Sequence, residues 1–359
     1  MANNVTIASA GSGKTTTVVR RACADTNTDA ALVTYTLNGR DEIRNNAYRH
    51  YGHIPSNVTI YTWFTFLLRH FVRPLQRCIE EQRVSGLNFV TGQSARFAPE
   101  SNPRRHYFTS NLNIHSDKVS KFACRVIELT DGAPIARIER IYKSLFIDEC
   151  QDLAGYDLEL IEVLLRSEVN IELVGDHRQA TFSTHSTNKN RQFAGAKIVE
   201  KFKEWETSNM CDVEFQNISR RCIQEICDFA DQFYPDVPPT TSLNKTVTDH
   251  DGVFAVRKRD VKRYDSLYSP QPLRYDRRTR CDVGNPINFG ASKGMTFDRT
   301  LIYPHGGLKK FLKSSNVDDA GKAIEKIYVA VTRARQSTAF VVDDDFESTN
   351  VRMFEVPVT

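Results

Sequence analysis

Ala8-Ser9-Ala10-Gly11-Ser12-Gly13-Lys14-Thr15 is the stretch on which the fold turns. It follows an apolar run at residues 5–8 that reads as a strand, and a helical pattern starts at Lys14. A strand, a glycine-bearing turn ending in Lys-Thr and a helix form the setting of a phosphate-binding P-loop. Gly11 and Gly13 let successive backbone N–H groups wrap a phosphate, and the helix N-terminus adds partial positive charge. Lys14 would reach the β- and γ-phosphates, and the Thr15 hydroxyl would hold Mg2+. Ala10, Ser12 and Thr16 complete the candidate nucleotide contacts. The strict pattern has Gly where this chain has Ala8. The competing reading is an ordinary strand-to-helix turn, against which Gly-Ser-Gly-Lys-Thr-Thr argues. Alone, the motif implies NTP binding and no more.

Outward from the loop, short apolar runs alternate with helical patterns, as a parallel α/β sheet requires. The clearest strands are residues 5–8, 31–35, 58–61, 144–147 and 171–174. A second series follows at 213–215, 253–256, 287–289, 300–303 and 338–342. Helical patterns follow Lys14, Arg40, Thr62, Tyr156, Cys222 and Ala320. The chain of 359 residues therefore reads as two α/β domains with parallel sheets, residues 1–208 and 209–359. Residues 74–142 are irregular, polar and rich in Arg and Asn, and read as a small insertion in the first domain.

A hydrophobic content of 40% supports real cores and excludes a disordered chain. Net charge is +4, compatible with a polyanionic partner but no evidence for one. No run approaches the roughly 18 apolar residues of a membrane span, and the polar start has no signal-peptide pattern. Eight cysteines without a Cys-x-x-Cys pair read as reduced thiols of a cytoplasmic protein, with no zinc site.

Leu145-Phe146-Ile147-Asp148-Glu149-Cys150-Gln151-Asp152 sets two carboxylates just after an apolar strand. Beside a P-loop, Asp148 would bind Mg2+ and Glu149 would orient and deprotonate an attacking water. That marks a hydrolase rather than a kinase. A turn whose acids cap the next helix is the plainer alternative, and it suits Asp152 best.

At this point the chain resembles the UvrD-like superfamily 1 helicases. Asp-Glu-x-Gln-Asp is similar to their second motif, and others follow in the family's order. Leu32-Val33-Thr34-Tyr35-Thr36 and Ile60-Tyr61-Thr62-Trp63-Phe64 resemble segments that touch the nucleic-acid strand. Gly175-Asp176-His177-Arg178-Gln179-Ala180-Thr181-Phe182 resembles the coupling motif. Arg220-Arg221-Cys222 resembles the opening of the second domain. Gly290-Ala291-Ser292-Lys293-Gly294-Met295-Thr296-Phe297-Asp298 and Tyr328-Val329-Ala330-Val331-Thr332-Arg333-Ala334-Arg335 resemble the last two motifs.

The resemblance implies two RecA-like P-loop NTPase domains with ATP between them. Gln179 would sense the γ-phosphate, and Arg221 and Arg333 would act as arginine fingers. Because Arg220 adjoins Arg221, that assignment can slip by one residue. Thr36, Trp63, Phe64, Phe182, Ser292 and Lys293 are the implied nucleic-acid contacts. Of the aromatics, Trp63 comes first and Phe182 second as base-stacking platforms. Aromatics at this spacing are more often core, so at least two of Tyr61, Trp63, Phe64 and Phe182 are expected to be buried.

The departures matter as much. Strand one starts at residue 5, leaving no room for the family's upstream adenine-reading Gln. ATP versus GTP stays open, with Arg40 a candidate base contact. Thr296 stands where the family has Glu. Ser292 follows Arg221 by only 71 positions, too few for large accessory subdomains. Residues 257–280 hold nine Lys/Arg against three Asp, either a phosphate-tracking surface or a solvated face.

The leading expectation is an ATP- and Mg2+-dependent motor on single-stranded nucleic acid, with DNA preferred because the resembled family acts mostly on it. The alternative is an ATP-gated regulatory subunit of a protein partner such as a nuclease. A small-molecule kinase fits Gln179, Lys293 and Arg333 poorly.

Overall fold

The computed structural model describes residues 3–181, 188–348 and 350–356. The chain forms two compact units, Met1–Ile7 with Lys14–Phe215 and Ala8–Gly13 with Gln216–Thr359.

In chain order the first unit holds β1 (Asn4–Ala8), β2 (Ala30–Thr34), β3 (Val58–Thr62), β4 (Gly86–Asn88), β5 (Asn113–His115), β6 (Ser144–Asp148), β7 (Asn170–Gly175) and β8 (Asp212–Gln216). Six of them build one parallel sheet in the order β3-β2-β6-β7-β1-β8. β2 is buried at all five positions, as expected of a central strand covered on both faces. The register pairs Ile7 with Gly175 and Asp148 with Val174. The carboxyl ends of β1, β6 and β7 thus finish side by side, where an open α/β sheet binds its ligands. The strand at 213–215, read from the sequence into the second series, is the outer strand of this first sheet. It is short and largely exposed, and such a strand carries little signal of which sheet it joins.

The stretch 74–142 is only partly irregular. β4 and β5 pair as a separate two-stranded ribbon. Helix Val119–Leu129 then buries Val119, Phe122, Ala123 and Val126, spaced i, i+3, i+4, i+7. These side chains join the main core beside Trp63, Phe66 and Phe71. The second half of the stretch is therefore part of the first unit's core rather than an appendage.

The second unit continues with β9 (Ile218–Ser219), β10 (Thr241–Ser242), β11 (Gly252–Arg257), β12 (Gln271–Arg274), β13 (Ile287–Asn288), β14 (Phe297–Tyr303), β15 (Ala334–Val342) and β16 (Arg352–Met353). Its sheet is also six-stranded and parallel, in the order β13-β12-β14-β15-β11-β16. Phe289, Ile302, Phe311, Ile327 and Phe340 anchor its core. Cys222 precedes the helix Gln224–Asp231 that holds Cys227, in line with the helical pattern read after Cys222. The fold is thus α/β with two parallel sheets. Among the described residues no helix is long and apolar enough to cross a membrane.

Candidate functional site

β1 leads into the glycine turn, and helix Lys14–Ala24 starts directly after it. Gly11 has φ +75° and Gly13 φ +90°, conformations that L side chains rarely adopt. Glycine is needed at Gly11 for a second reason. A Cβ there would lie 2.5 Å from Arg221 Cβ, within the second unit to which both belong. The Ser12 hydroxyl is buried and has no hydrogen-bond partner among the described residues, as an atom in a phosphate cradle would be. The Thr16 hydroxyl instead donates to Asn46 Oδ1 at 2.9 Å, tying its helix to helix Leu37–Tyr51.

At the end of β6 the Asp148 carboxylate is 4% exposed. Its Oδ2 accepts from Thr15 Oγ1 at 2.7 Å and its Oδ1 from the Glu149 N–H at 2.9 Å. Burial and the neighbouring Glu149 charge push the Asp148 carboxyl up, while Lys14 and Thr15 pull it down. A buried carboxylate so raised is short of positive charge. With a hydroxyl 2.7 Å away it fits a Mg2+ site of few protein oxygens.

Glu149 sits at φ +61°, ψ +38°, a left-handed conformation that costs a non-glycine residue energy. Strain of this kind persists only where the surroundings hold it. Here Gln151 Nε2 donates to Glu149 Oε2, and Gln151 Oε1 accepts from the Asp176 N–H at 3.0 Å. Asp176, fully buried beyond β7, accepts from Gln179 Nε2 at 2.7 Å and from Arg178 Nε at 3.2 Å. Burial works to raise the Asp176 carboxyl, but Arg178, Lys14, His177 and the Gln179 hydrogen bond together hold it below its ordinary value. Thr15, Asp148, Glu149, Gln151, Asp176 and Gln179 form one chain of bonds inside the first unit. The sequence motif alone assigns Gln151 no role. The signal was its spacing, two residues past a candidate base.

We expect Gln151→Leu to lower kcat for nucleotide hydrolysis by roughly 10-fold or more with little change in KM, since partners that orient a reacting group act on turnover rather than binding. A rise in KM alone would show that Gln151 shapes the binding site instead.

Other candidates fall less simply. Arg40 is partly exposed and pairs with its neighbour Asp41 at 2.9 Å. Thr36 caps helix Leu37–Tyr51, accepting from the Gly39 N–H at 2.9 Å. Trp63 is 1% exposed, and its Nε1 donates to Asp157 Oδ1 at 2.7 Å. Trp63 is therefore a core residue in this structure and not the open stacking platform proposed from the sequence. Phe64 is 6% exposed and Tyr61 4%, so three of the four aromatics are buried. Phe182 lies outside the described residues. Ser292 is fully buried, its hydroxyl donating to the Phe289 carbonyl at 2.7 Å, so it offers no side-chain contact to a strand. Lys293 next to it is half-buried.

In the second unit Arg221 is half-buried and donates to the Thr332 carbonyl at 3.1 Å, while Arg220 is exposed. Arg333 is 1% exposed and donates to the carbonyls of Val329 at 3.0 Å and Met295 at 3.2 Å. Part of the basic stretch 257–280 is met by acids. Lys258 pairs with Asp343 at 2.6 Å, Arg259 N–H bonds Asp344, and Arg278 pairs with Asp276 at 2.6 Å.

An AAA domain family model matches residues 2–184, just over half of the chain. No curated protein matches. Two solved structures of the Arterivirus nonstructural protein 10 helicase, one in complex with DNA and one without, are similar at 14% identity. Their TM-scores are 0.48 and 0.45, over 95% and 96% of this chain. The chain spans 60% of the length of those helicase chains.

Proposed function

The chain belongs to the AAA domain family, and on that premise we propose that it is an ATP-driven translocase on single-stranded DNA, of the UvrD-like superfamily 1 type. The carrying observation is the bonded path from Thr15 through Asp148, Glu149, Gln151 and Asp176 to Gln179. A nucleotide-binding turn needs none of the last four. A hydrolase that must report on the γ-phosphate needs a held base and a sensor joined to it.

In this reading the turn 10–16 and Lys14 bind the phosphates. Glu149 accepts the proton of the attacking water, and Gln151 keeps its carboxylate aimed. Thr15 and Asp148 would hold Mg2+, which when bound offsets charge on the phosphate oxygens. Gln179 reads the γ-phosphate. Arg221 and Arg333 supply guanidinium charge during turnover. Arg333 does so by exchanging one of its two carbonyl contacts for phosphate. Thr36 and Lys293 contact the strand. Arg40 contacts the base.

ATP-dependent displacement of streptavidin from end-biotinylated single strands tests the proposal. Displacement from one end, abolished in Lys14→Ala, supports a translocase and gives its direction. Nucleotide binding without displacement from either end overturns it in favour of a partner-controlling subunit.

A further inference from the structure

Phe97 is 99% exposed and Phe89 73%, on one short segment of the first unit. Single exposed apolar side chains are common and mean little. These two differ in being held out by a pinned segment. Asn88 Nδ2 bonds His115 Nδ1 at 3.0 Å, and the Val90 N–H donates to Ser116 Oγ at 3.2 Å. Ser94 donates twice to Asp117, from N–H at 2.9 Å and from Oγ at 2.6 Å. Just past Phe97, the Ala98 carbonyl accepts from His106 Nδ1 at 2.7 Å. The tip is therefore anchored on both sides, and both rings are presented at little further cost in chain entropy.

The charge of the segment itself is mostly positive. From Arg83 to Arg105 there are four arginines and one acid, Glu100. Glu100 pairs with Lys121, and Arg104 with Glu80. Among the described residues, Arg83, Arg96 and Arg105 are exposed and engaged in no ion pair. Inward, the Phe89 ring meets Phe64 edge-on at 5.7 Å, and Phe64 lies 5.8 Å from Tyr35. Tyr35 follows β2 and Phe64 follows β3. Phe89 is thus the open outer end of an aromatic row that begins at the carboxyl edge of the sheet.

We propose that residues 83–105 form a single-stranded nucleic-acid contact in which Phe89 and Phe97 stack on bases and Arg83, Arg96 and Arg105 hold phosphates. The proposal rests on the functional reading above. Aromatic rings separated by polar residues and free guanidinium groups match what an unpaired strand offers, a π-face at every base and a charge at every phosphate. A protein partner would want contiguous apolar area, which Thr91, Gln93, Ser94 and Arg96 interrupt.

The test is fluorescence anisotropy of a labelled oligo-dT on the full chain without nucleotide, at several salt concentrations. Phe97→Ala and Phe89→Ala each weaken binding about 5-fold or more, with unchanged thermal midpoints, and Phe97→Trp restores it. Arg96→Gln and Arg105→Gln each reduce the logarithmic salt slope by about one. If the wild type does not bind oligo-dT, the functional reading fails and this proposal with it. If the wild type binds and the phenylalanine variants match it, this proposal alone is overturned, the result expected of a protein-docking loop.

Discussion

Replacing Glu149 with Gln is expected to cut ATP turnover by about 10²- to 10⁴-fold while leaving nucleotide affinity within a few-fold of wild type. The change is nearly isosteric. It keeps an oxygen to accept from Gln151 Nε2 and keeps the left-handed backbone at residue 149. What it removes is the basicity that takes a proton from water. Steady-state hydrolysis together with equilibrium binding of a fluorescent ATP analogue measures both halves. Retention of more than a tenth of the wild-type rate would mean that the base lies elsewhere. Loss of binding instead would mean that Glu149 holds up the phosphate turn rather than the chemistry.

Trp63→Ala is expected to destabilise the first unit by about 3–5 kcal/mol, the cost of emptying a large buried site. Trp63→Phe separates the two roles once considered for this residue. Phenylalanine keeps a ring that can stack on a base but loses the donor to buried Asp157. It should therefore cost about 1–3 kcal/mol of stability through the weakened bonding of that carboxylate, with strand affinity unchanged. Denaturant unfolding and oligonucleotide binding on the same preparation read both quantities. Unchanged stability with weakened binding would reinstate Trp63 as a stacking platform.

The sequence made the nucleotide side most legible. Gly11, Gly13, Lys14, Thr15, Asp148 and Glu149 are tied to fixed points of a strand–turn–helix unit and a strand end, so the pattern itself places them. The parallel sheets were legible for the same reason, because fully buried strands such as β2 read as apolar runs. The strand-contact side was not legible. Whether an aromatic after β3 faces core or solvent depends on what packs over it. At Trp63 that is set by Asp157, 94 positions away. The stretch 74–142 hid both of its contributions. The helix Val119–Leu129 carries a clear apolar face, but the Lys and Arg between its buried positions made it read as polar. Phe89 and Phe97 carry no sequence signal of exposure at all. Bonds to distant residues, among them Ser94 to Asp117 and Ala98 to His106, hold that segment out. The basic run 257–280 left two readings open in the sequence, since an acid such as Asp343, which pairs with Lys258, lies far along the chain.

The most direct test of the central claim is steady-state ATP hydrolysis by the purified chain, with and without single-stranded DNA. We predict slow hydrolysis alone, a large rise with single-stranded DNA, and no rise in Glu149→Gln. Hydrolysis that stays near zero with DNA present, while nucleotide still binds, would contradict an autonomous motor.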